Sequence, residues 1–326
     1  MRTGKLAEPA LKRSVLRQLN TDPVFVRERY GSDCAVSEQE SGCFSVYAAA
    51  GVVPGFEDDP GKLITAAVNN LVCSGAEPES VLVQALLPPE YGETDLKADM
   101  KRLSAAASHY SMGIVGGHTE VTAGVIRPYY LVTGIGKVRA AERRDREILR
   151  PGQELVVTRW IALGGTAALA RAHEEELKKR YPFALIDRAK AFEKIMSVEE
   201  EARAITHFGA AAMHDLSQGG IFNGLWEMAE RAGVGLEVDL KKIPVKQETI
   251  EICEYYDINP YYLYSAGSML AGTDNGEALV AELAAAGIPA VVIGRVTDGK
   301  DRIIRNGEDV RFLDRPKQDE WYRVHG

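Results

Sequence analysis

The chain has 326 residues, of which 45% are hydrophobic and 26% charged, a composition typical of soluble globular proteins and long enough for about two domains. Its formal net charge of −8 argues against nucleic acid or an anionic membrane surface as a partner, because both require clustered Lys and Arg. No stretch approaches the about 20 apolar residues of a membrane span. The N-terminus lacks the apolar core of a secretory signal, and the four cysteines are widely spaced, so we expect a cytoplasmic protein.

The first half alternates helices and strands. Helical spacing of apolar residues predicts an amphipathic helix over Leu6–Leu19. The elements predicted next are strands over 34–36 and 44–50, a buried helix over 61–74, a strand over 80–87, a helix over 94–110 capped by Thr94, a short strand over 114–115 and a strand over 129–136. The polar segment Ala140–Gly152, which ends in Pro-Gly, is predicted to be the domain boundary.

The second half repeats this plan. Predicted strands lie at 154–158, 210–213, 235–239, 269–272 and 290–296, and predicted helices at 167–180, 198–208, 221–232, 245–256 and 277–286. Both halves are therefore predicted to be layered α/β sandwiches. We predict an N-terminal domain over 1–140 with a leading helix over 1–20, a C-terminal domain over 150–314, and a short tail over 315–326.

The most informative segment runs from Met213 to Ile221 and reads MHDLSQGGI. His214 and Asp215 end an apolar run, and Gly219 and Gly220 open the next helix. The first turn of a helix presents unpaired N–H groups, which glycine lets an anion approach closely, and an Asp before such a turn can hold a divalent metal against a phosphate. The same pattern is also typical of ordinary helix capping.

Four further polar segments lie where apolar elements meet turns, or inside an apolar helix. They cover residues 31–33, 68–71, 116–120 and 163–166. Asn69 and Asn70 are the least expected, because two adjacent amides in a buried helix must hydrogen-bond to something. They are either ligand-binding groups or satisfied core amides.

Several collinear stretches together resemble the aminoimidazole ribonucleotide (AIR) synthase superfamily, most closely the branch of the hydrogenase maturation protein HypE, a carbamoyl dehydratase. The stretches are GKLAEPALKRSVL, GSDCAV, PGKLITAAVNNLVCSGAEPESVL, GIVGGHTEV, HDLSQGGIFNGLWEMAERAGVGLEVD and IPVKQETIEICEYYDINPYYLYSAGSML. The resemblance implies two α/β domains of the AIR synthase type, with a mixed N-terminal sheet that forms a homodimer interface. It also implies ATP in a long cleft and Mg²⁺ between its phosphates and acidic side chains.

The family motifs transfer to this chain position by position. By resemblance, Asp33 and Asp215 hold the metal. The nucleotide-binding positions that the resemblance implies are Lys62, Asn69, Asn70, Gly116, Gly117, Gly219 and Gly220. His118, Glu120 and His214 are candidates for acid–base work, since a histidine titrates near pH 7.

The departures from the family pattern are equally informative. Ala49-Ala50 replaces a Thr-Asp pair, and Asn70 replaces an Asp, so two carboxylates expected at the magnesium site are neutral here. Their loss is expected to weaken Mg²⁺ binding severely. The dehydratase carries its carbamoyl group on a C-terminal cysteine, whereas the last cysteine here is Cys253, so thiocarboxamide chemistry cannot proceed in the same way.

Two functional hypotheses follow from these features. The first is an enzyme that uses ATP to activate an amide or carboxylate oxygen of a small-molecule substrate, as in hydrogenase maturation. The second is a catalytically silent scaffold or sensor that binds a nucleotide and has a maturation protein as partner. A purine or thiamine enzyme is the weaker third. A transition-metal site that joins His118 and His214 to Glu120 and Asp215 is an alternative to hydrogen-bonding roles for these imidazoles.

Overall fold

The computed structural model describes residues 5–18, 33–38, 42–140, 148–209 and 212–325. They divide into two compact units. The N-terminal unit comprises residues 33–38 and 42–140, and the C-terminal unit comprises residues 148–209 and 212–325 together with the leading residues 5–18. The predictions made for Gly31, Ser32 and the end of the leading helix lie outside the described residues.

The described elements follow the alternating order that the sequence predicts. The strands are β1 (Cys34–Glu38), β2 (Cys43–Ala50), β3 (Glu77–Leu87), β4 (Gly113–Val121), β5 (Tyr129–Arg139), β6 (Glu154–Thr158), β7 (Ala212–Asp215), β8 (Gly235–Asp239), β9 (Met269–Thr273), β10 (Ala290–Thr297), β11 (Arg302–Asn306) and β12 (Asp309–Phe312). The helices are α1 (Glu8–Leu11), α2 (Gly61–Cys73), α3 (Glu93–His109), α4 (Leu163–Ala172), α5 (Glu174–Leu177), α6 (Phe183–Ala191), α7 (Glu199–Phe208), α8 (Gly220–Ala232), α9 (Gln247–Tyr255), α10 (Gly276–Ala285) and α11 (Trp321–His325).

The N-terminal unit is built on a mixed five-stranded sheet in the order β1-β2-β5-β3-β4, as expected for the AIR synthase type. Only β3 and β4 run parallel in this sheet. Alternate residues of β3, such as Val81, Val83 and Ala85, are buried on the face that α2 covers. The apolar alternation of the strands and the helical apolar stripe of α2 therefore meet in one core.

The predicted polar loop over 116–120 is wrong, because these residues belong to β4. In the register with β3, Leu82 pairs with Gly116 and Gln84 pairs with His118. Glycines and polar residues have low strand propensity, but a tertiary ladder overrides that preference. The strand can approach β3 only because Gly117 has no side chain: a Cβ there would lie 1.7 Å from the carbonyl oxygen of Val83.

The C-terminal unit is built on a seven-stranded sheet in the order β12-β11-β8-β10-β6-β9-β7. The interior strand β6 is buried at Leu155, Val156 and Val157, each 0% exposed. Such a continuous apolar run is typical of a strand covered on both faces. The predicted bounds of β6 and β8 are confirmed, whereas α6, the β11–β12 pair and α11 were not predicted.

A second predicted turn, Leu163–Thr166, is also wrong, because these residues form the start of α4. Close packing requires glycine at both positions. A Cβ on Gly164 would lie 2.7 Å from the Tyr264 ring, and a Cβ on Gly165 would lie 2.4 Å from Leu263. Thr94 likewise does not cap its helix, since α3 begins at Glu93 with Gly92 at the capping position.

The leading segment contacts α8 through charged groups. The Lys5 ammonium lies 2.6 Å from the Glu227 carboxylate, and the Trp226 indole N–H donates to Glu8 at 2.9 Å. Lys12 lies 2.7 Å from Glu230. The sequence-based division placed this segment with the first domain, whereas these contacts tie it to the C-terminal unit. None of the described helices is long and apolar enough to cross a bilayer.

Candidate functional site

The junction between β7 and α8 contains four of the predicted site residues. His214 and Asp215 end β7, and each is only 6% exposed. Gly219 and Gly220 both have positive φ, +85° and +63°, and turn the chain into the first turn of α8. A Cβ on Gly220 would lie 2.6 Å from the Tyr261 carbonyl oxygen, so the close approach of two backbone segments requires glycine here.

The N-terminus of α8 already holds a carboxylate. The Gly219 N–H donates to Asp319 Oδ2 at 2.6 Å, and the Trp321 N–H donates to Asp319 Oδ1 at 2.9 Å. The Tyr264 N–H is a further backbone donor to this carboxylate. Asp319 is 3% exposed, and burial raises its pKa to about 7 against the lowering effect of these donors.

His214 faces an acid that the sequence analysis missed. Its Nε2 lies 3.3 Å from Glu227 Oε2, and both side chains are almost fully buried. Glu227 is also the carboxylate that Lys5 contacts, so the Glu227 carboxylate lies between a lysine and a histidine. A glutamate among the apolar positions of an amphipathic helix was the available sequence signal. The contact with Glu227 fixes the orientation of the imidazole.

Some of the predicted metal and nucleotide positions of the N-terminal unit lie around one corner of its sheet, whereas Gly116 and Gly117 lie on β4, at the opposite edge from β1 and β2. Asp33 immediately precedes β1 and is exposed. Cys34 pairs with Ala48, and the Cys34 thiol donates to the Asn70 carbonyl oxygen at 3.3 Å. This register brings Asp33, the end of β2 at Ala49-Ala50, and the Asn70 turn of α2 together.

Helix α2 presents two more of the predicted residues toward one side. Lys62 stands in its first turn, where the Asp59 side chain accepts from the Gly61 N–H at 3.1 Å. Asn69 lies seven residues further along, which places it on the same helix face as Lys62. Asn69 is 2% exposed, so its amide is a buried polar group of the kind that has a partner.

His118 and Glu120 form a pair of their own on β4. His118 Nε2 lies 3.2 Å from Glu120 Oε2, and the two side chains are 65% and 55% exposed. The structure assigns His118 and His214 to different units. Across the described ranges, no group of three or more His, Cys, Asp or Glu side chains is arranged to hold a metal ion.

A small cleft opens beside the same sheet, between the β2–α2 connection and the start of β5. Its walls are largely apolar, with Val53, Phe56 and Leu63 on one side and Tyr130 on the other. Glu57 and Arg127 also line it.

A buried acid, Asp99, organises the base of this region. The Tyr130 hydroxyl donates to Asp99 Oδ2 at 2.7 Å, Arg102 donates to Oδ1 at 2.6 Å, and the Tyr91 hydroxyl also donates to this carboxylate. Burial, followed by the Asp99 carboxylate, raises the pKa of Tyr91 to about 12. The sequence signal was an acid in helical register with Leu103 and Ala107 on the buried stripe of α3.

Two α/β units, one with this mixed sheet and one with a strand–glycine–helix junction, define a protein of the AIR synthase type. The N-terminal domain model of the AIR synthase related proteins matches residues 31–138, and the C-terminal domain model matches residues 150–305. The chain therefore belongs to the AIR synthase related family.

Its relatives include hydrogenase maturation proteins and thiamine-monophosphate kinases. A putative hydrogenase expression/formation protein of Methanocaldococcus jannaschii is 26% identical over 222 residues, which cover 68% of this chain and 64% of the relative. The carbamoyl dehydratase HypE of Rhodobacter capsulatus is 24% identical over 253 residues, 73% of this chain and 69% of that protein. The match thus spans about two thirds of each relative's length.

Solved structures share the fold. A chain from the HypE–HypF complex superposes with a TM-score of 0.75 at 22% identity, covering 94% of this chain and 100% of that one. HypE in complex with ATP superposes with a TM-score of 0.68 at 18% identity, covering 98% and 97%.

Proposed function

We propose that this protein binds ATP and uses it to activate an amide or carboxylate oxygen of a small molecule, in a process related to hydrogenase maturation. The observation that carries the proposal is the corner of the N-terminal sheet where Asp33, Asn70 and the end of β2 meet, with Lys62 and Asn69 on α2. A carboxylate, two amides and a lysine are the groups that hold a metal–phosphate ligand. The names of the relatives and the ATP complex of a structural neighbour support it.

The donor set fits Mg²⁺ weakly. Mg²⁺ in nucleotide sites is commonly held by one or two carboxylates together with the phosphates themselves. Asp33 supplies one carboxylate, and Asn69 and Asn70 supply neutral amides, while Ala49 and Ala50 supply no ligand. Asp215 is the second acid that the resemblance assigns to the metal. We propose a magnesium-dependent site of reduced affinity, in which Lys62 compensates part of the missing attraction for phosphate.

The acid–base assignment follows exposure. His118 and Glu120 are accessible and paired, so we propose them as the proton-transfer residues. His214 is buried against Glu227, so we propose that it acts by fixing the β7–α8 junction that carries Asp215. ATP, when bound, supplies the phosphoryl group, and the chain's residues bind, orient and move protons.

The test is isothermal titration with ATP, with and without Mg²⁺, alongside a phosphate-release assay. We expect magnesium-dependent binding that Asp33→Ala and Asp215→Ala each weaken at least tenfold, with Asp95→Ala, an exposed acid on α3, as the control. Unchanged affinity in both site variants would reject the assignment of the site. Binding without turnover in the presence of candidate amides would favour a silent nucleotide-binding scaffold.

The alternative of a catalytically silent nucleotide-binding protein is favoured by the neutral residues Ala50 and Asn70 near Asp33. Ala50→Asp combined with Asn70→Asp restores two carboxylates beside Asp33. If metal loss alone silenced the site, the double variant gains Mg²⁺-dependent ATP affinity and phosphate release. No gain would show that more of the site has changed than these two positions.

We also propose that the protein is a homodimer built on the N-terminal sheet. The sheet face opposite α2 carries Leu82, Leu86, Leu131 and Ile135 with none fully buried, and Leu131 is 38% exposed. Apolar residues on both faces of a sheet require a cover on each face. Analytical ultracentrifugation of wild type and of Leu131→Lys, which adds a charge to this face, tests the proposal. Lys137→Leu, which removes a charge from the same strand, is the reciprocal control. A monomeric wild type at micromolar concentration would refute it.

We further propose a maturation protein as partner and the cytoplasm as compartment. The structural neighbour solved as a HypE–HypF complex suggests a maturation protein as partner. The four cysteines, all within the described residues, form no disulfide, which suits the reducing cytoplasm. Co-purification from a hydrogenase-producing host is the direct test of the partner.

A further inference from the structure

The small cleft beside the N-terminal sheet has a buried apolar floor. Val53, Phe56, Leu63 and Tyr130 line it, and each of these residues is no more than 6% exposed. The Tyr130 hydroxyl donates to Asp99, so the floor offers mainly apolar surface to a ligand. Because the cleft is small, its space suits a short alkyl group better than a fused ring system.

Two exposed side chains of opposite charge, Glu57 and Arg127, line the same cleft. Neither forms a hydrogen bond or an ion pair with any residue that the structure describes, and they do not pair with each other. By contrast, the exposed Lys97 of the same unit lies 2.7 Å from Glu93. Two opposite charges beside an apolar floor are complementary to a ligand that carries both charges and an alkyl group.

The cleft adjoins the lysine that we propose to bind phosphate. Lys62 Nζ lies 5.5 Å from the centroid of the Phe56 ring, in a cation–π contact. Pro60 and Leu63, which stand before and after that lysine in the chain, both line the cleft. Gly51, which also lines it, directly follows β2. A ligand in the cleft would therefore lie beside the proposed nucleotide site.

We propose that this cleft binds an aliphatic α-amino acid, with its side chain on the apolar floor, its carboxylate at Arg127 and its ammonium at Glu57. An arginine fork matches a carboxylate in geometry, and a glutamate accepts from an ammonium. The proposal rests on the proposed function for the reaction and deepens it by naming an amino-acid carboxylate as the group that ATP activates. A carboxylate oxygen would bond to the γ-phosphorus as the bond from that phosphorus to ADP breaks, giving an acyl phosphate and ADP.

Ligand-observed NMR titration of the full chain with leucine and two truncated analogues tests the proposal. Isocaproate lacks the ammonium and isoamylamine lacks the carboxylate, so we expect both to bind at least tenfold more weakly than leucine. Arg127→Gln should weaken leucine and isocaproate at least tenfold and leave isoamylamine unchanged. Glu57→Gln should weaken leucine and isoamylamine at least tenfold and leave isocaproate unchanged. Glu93→Gln, which changes an exposed acid outside the cleft, is the matched control and should bind leucine as wild type does.

Absence of leucine binding at millimolar concentration would overturn the proposal, and so would an Arg127→Gln loss that is equal for isocaproate and isoamylamine. The competing occupant is a second copy of the chain, because Ile126, next to Arg127, is 98% exposed and carries an alkyl group of the same kind. Ile126→Ser separates the two cases. Leucine affinity equal to that of wild type would support the amino-acid site. Leucine binding that appears only in Ile126→Ser would assign the cleft to the second copy and reject the proposal.

The amino-acid site and the proposed ATP-dependent function fail in different ways. Leucine binding to a protein that does not bind ATP would reject the ATP-dependent function and keep the amino-acid site. ATP binding to a protein that does not bind leucine would reject the amino-acid site and leave the ATP-dependent function intact. Formation of ADP that leucine stimulates in wild type, and does not stimulate in Arg127→Gln, would support both.

Discussion

Replacing Gly117 by alanine should unfold the edge of the N-terminal sheet. Gly117 has φ +150°, and a Cβ there would lie 1.7 Å from the carbonyl oxygen and 2.6 Å from the carbonyl carbon of Val83. Both are backbone atoms of β3, so no side-chain rotation relieves the overlap. Strand β4 must move away from β3 or distort.

The magnitude follows from two contributions. A non-glycine residue in this backbone region costs about 1–3 kcal/mol. Opening the ladder around Val83 removes about two hydrogen bonds at about 1 kcal/mol each. The sum, about 3–5 kcal/mol, is a large share of the about 5–15 kcal/mol that stabilises a typical domain. The neighbouring Gly116→Ala is the matched control, because its Cβ would meet only the Leu82 side chain at 3.4 Å; we expect it to change stability by less than about 1 kcal/mol.

The assay must report on the right unit. All three tryptophans, Trp160, Trp226 and Trp321, belong to the C-terminal unit, so tryptophan fluorescence does not follow the N-terminal sheet. Amide hydrogen exchange of peptides covering β3 and β4 does. We expect exchange there to accelerate in Gly117→Ala and to remain slow in Gly116→Ala. Equal protection in the two variants would refute the steric reasoning, and a loss of ATP affinity in Gly116→Ala alone would point to a phosphate contact at that residue.

Three further predictions concern buried charges. Burial raises the pKa of Glu201 to about 7 despite the Arg159 guanidinium beside it, so the folded state retains a proton that the unfolded chain releases near pH 4.5. The free energy of unfolding of the C-terminal unit, measured by urea denaturation, should therefore fall as pH rises from about 4.5 to 7, and Glu201→Gln should remove this pH dependence. Asp99→Asn should destabilise the N-terminal unit by about 1–3 kcal/mol, since three donors lose their shared carboxylate. It should also lower the pKa of Tyr91 in an ultraviolet titration, and an unchanged Tyr91 pKa would contradict the role given to Asp99. Lys5→Met should lower the free energy of unfolding, measured by thermal unfolding, by about 1–3 kcal/mol, because it leaves Glu227 buried without its cation. The control Lys97→Met, in an exposed pair with Glu93, should lower it by less than about 0.5 kcal/mol. Equal losses in the two variants would argue that the leading segment does not anchor α8.

The sequence by itself determined the elements whose apolar pattern is strong. The limits of β6 and β8 match their predicted limits, and those of α2 and α8 lie within one residue of them. In continuous apolar strands and amphipathic helices, the apolar residues that form the sequence pattern are the ones that the fold buries. The collinear motifs determined the family and the two-unit α/β architecture. They also named His214, Asp215, Gly219 and Gly220 as one junction, since these residues are neighbours along the chain.

Tertiary structure alone decided what those residues contact. Asp319 lies 100 positions from Gly219, and Lys5 lies 222 positions from Glu227, so no local pattern joins either pair. The glycines at 116–117 and 164–165 indicated turns by propensity, yet they lie in a strand and a helix. Neighbouring Val83, Tyr264 and Leu263 leave no space for a side chain at Gly117, Gly164 and Gly165 respectively. A glycine in the sequence shows that a Cβ is absent, and only the packed fold shows whether a turn, a ligand or another segment occupies the space.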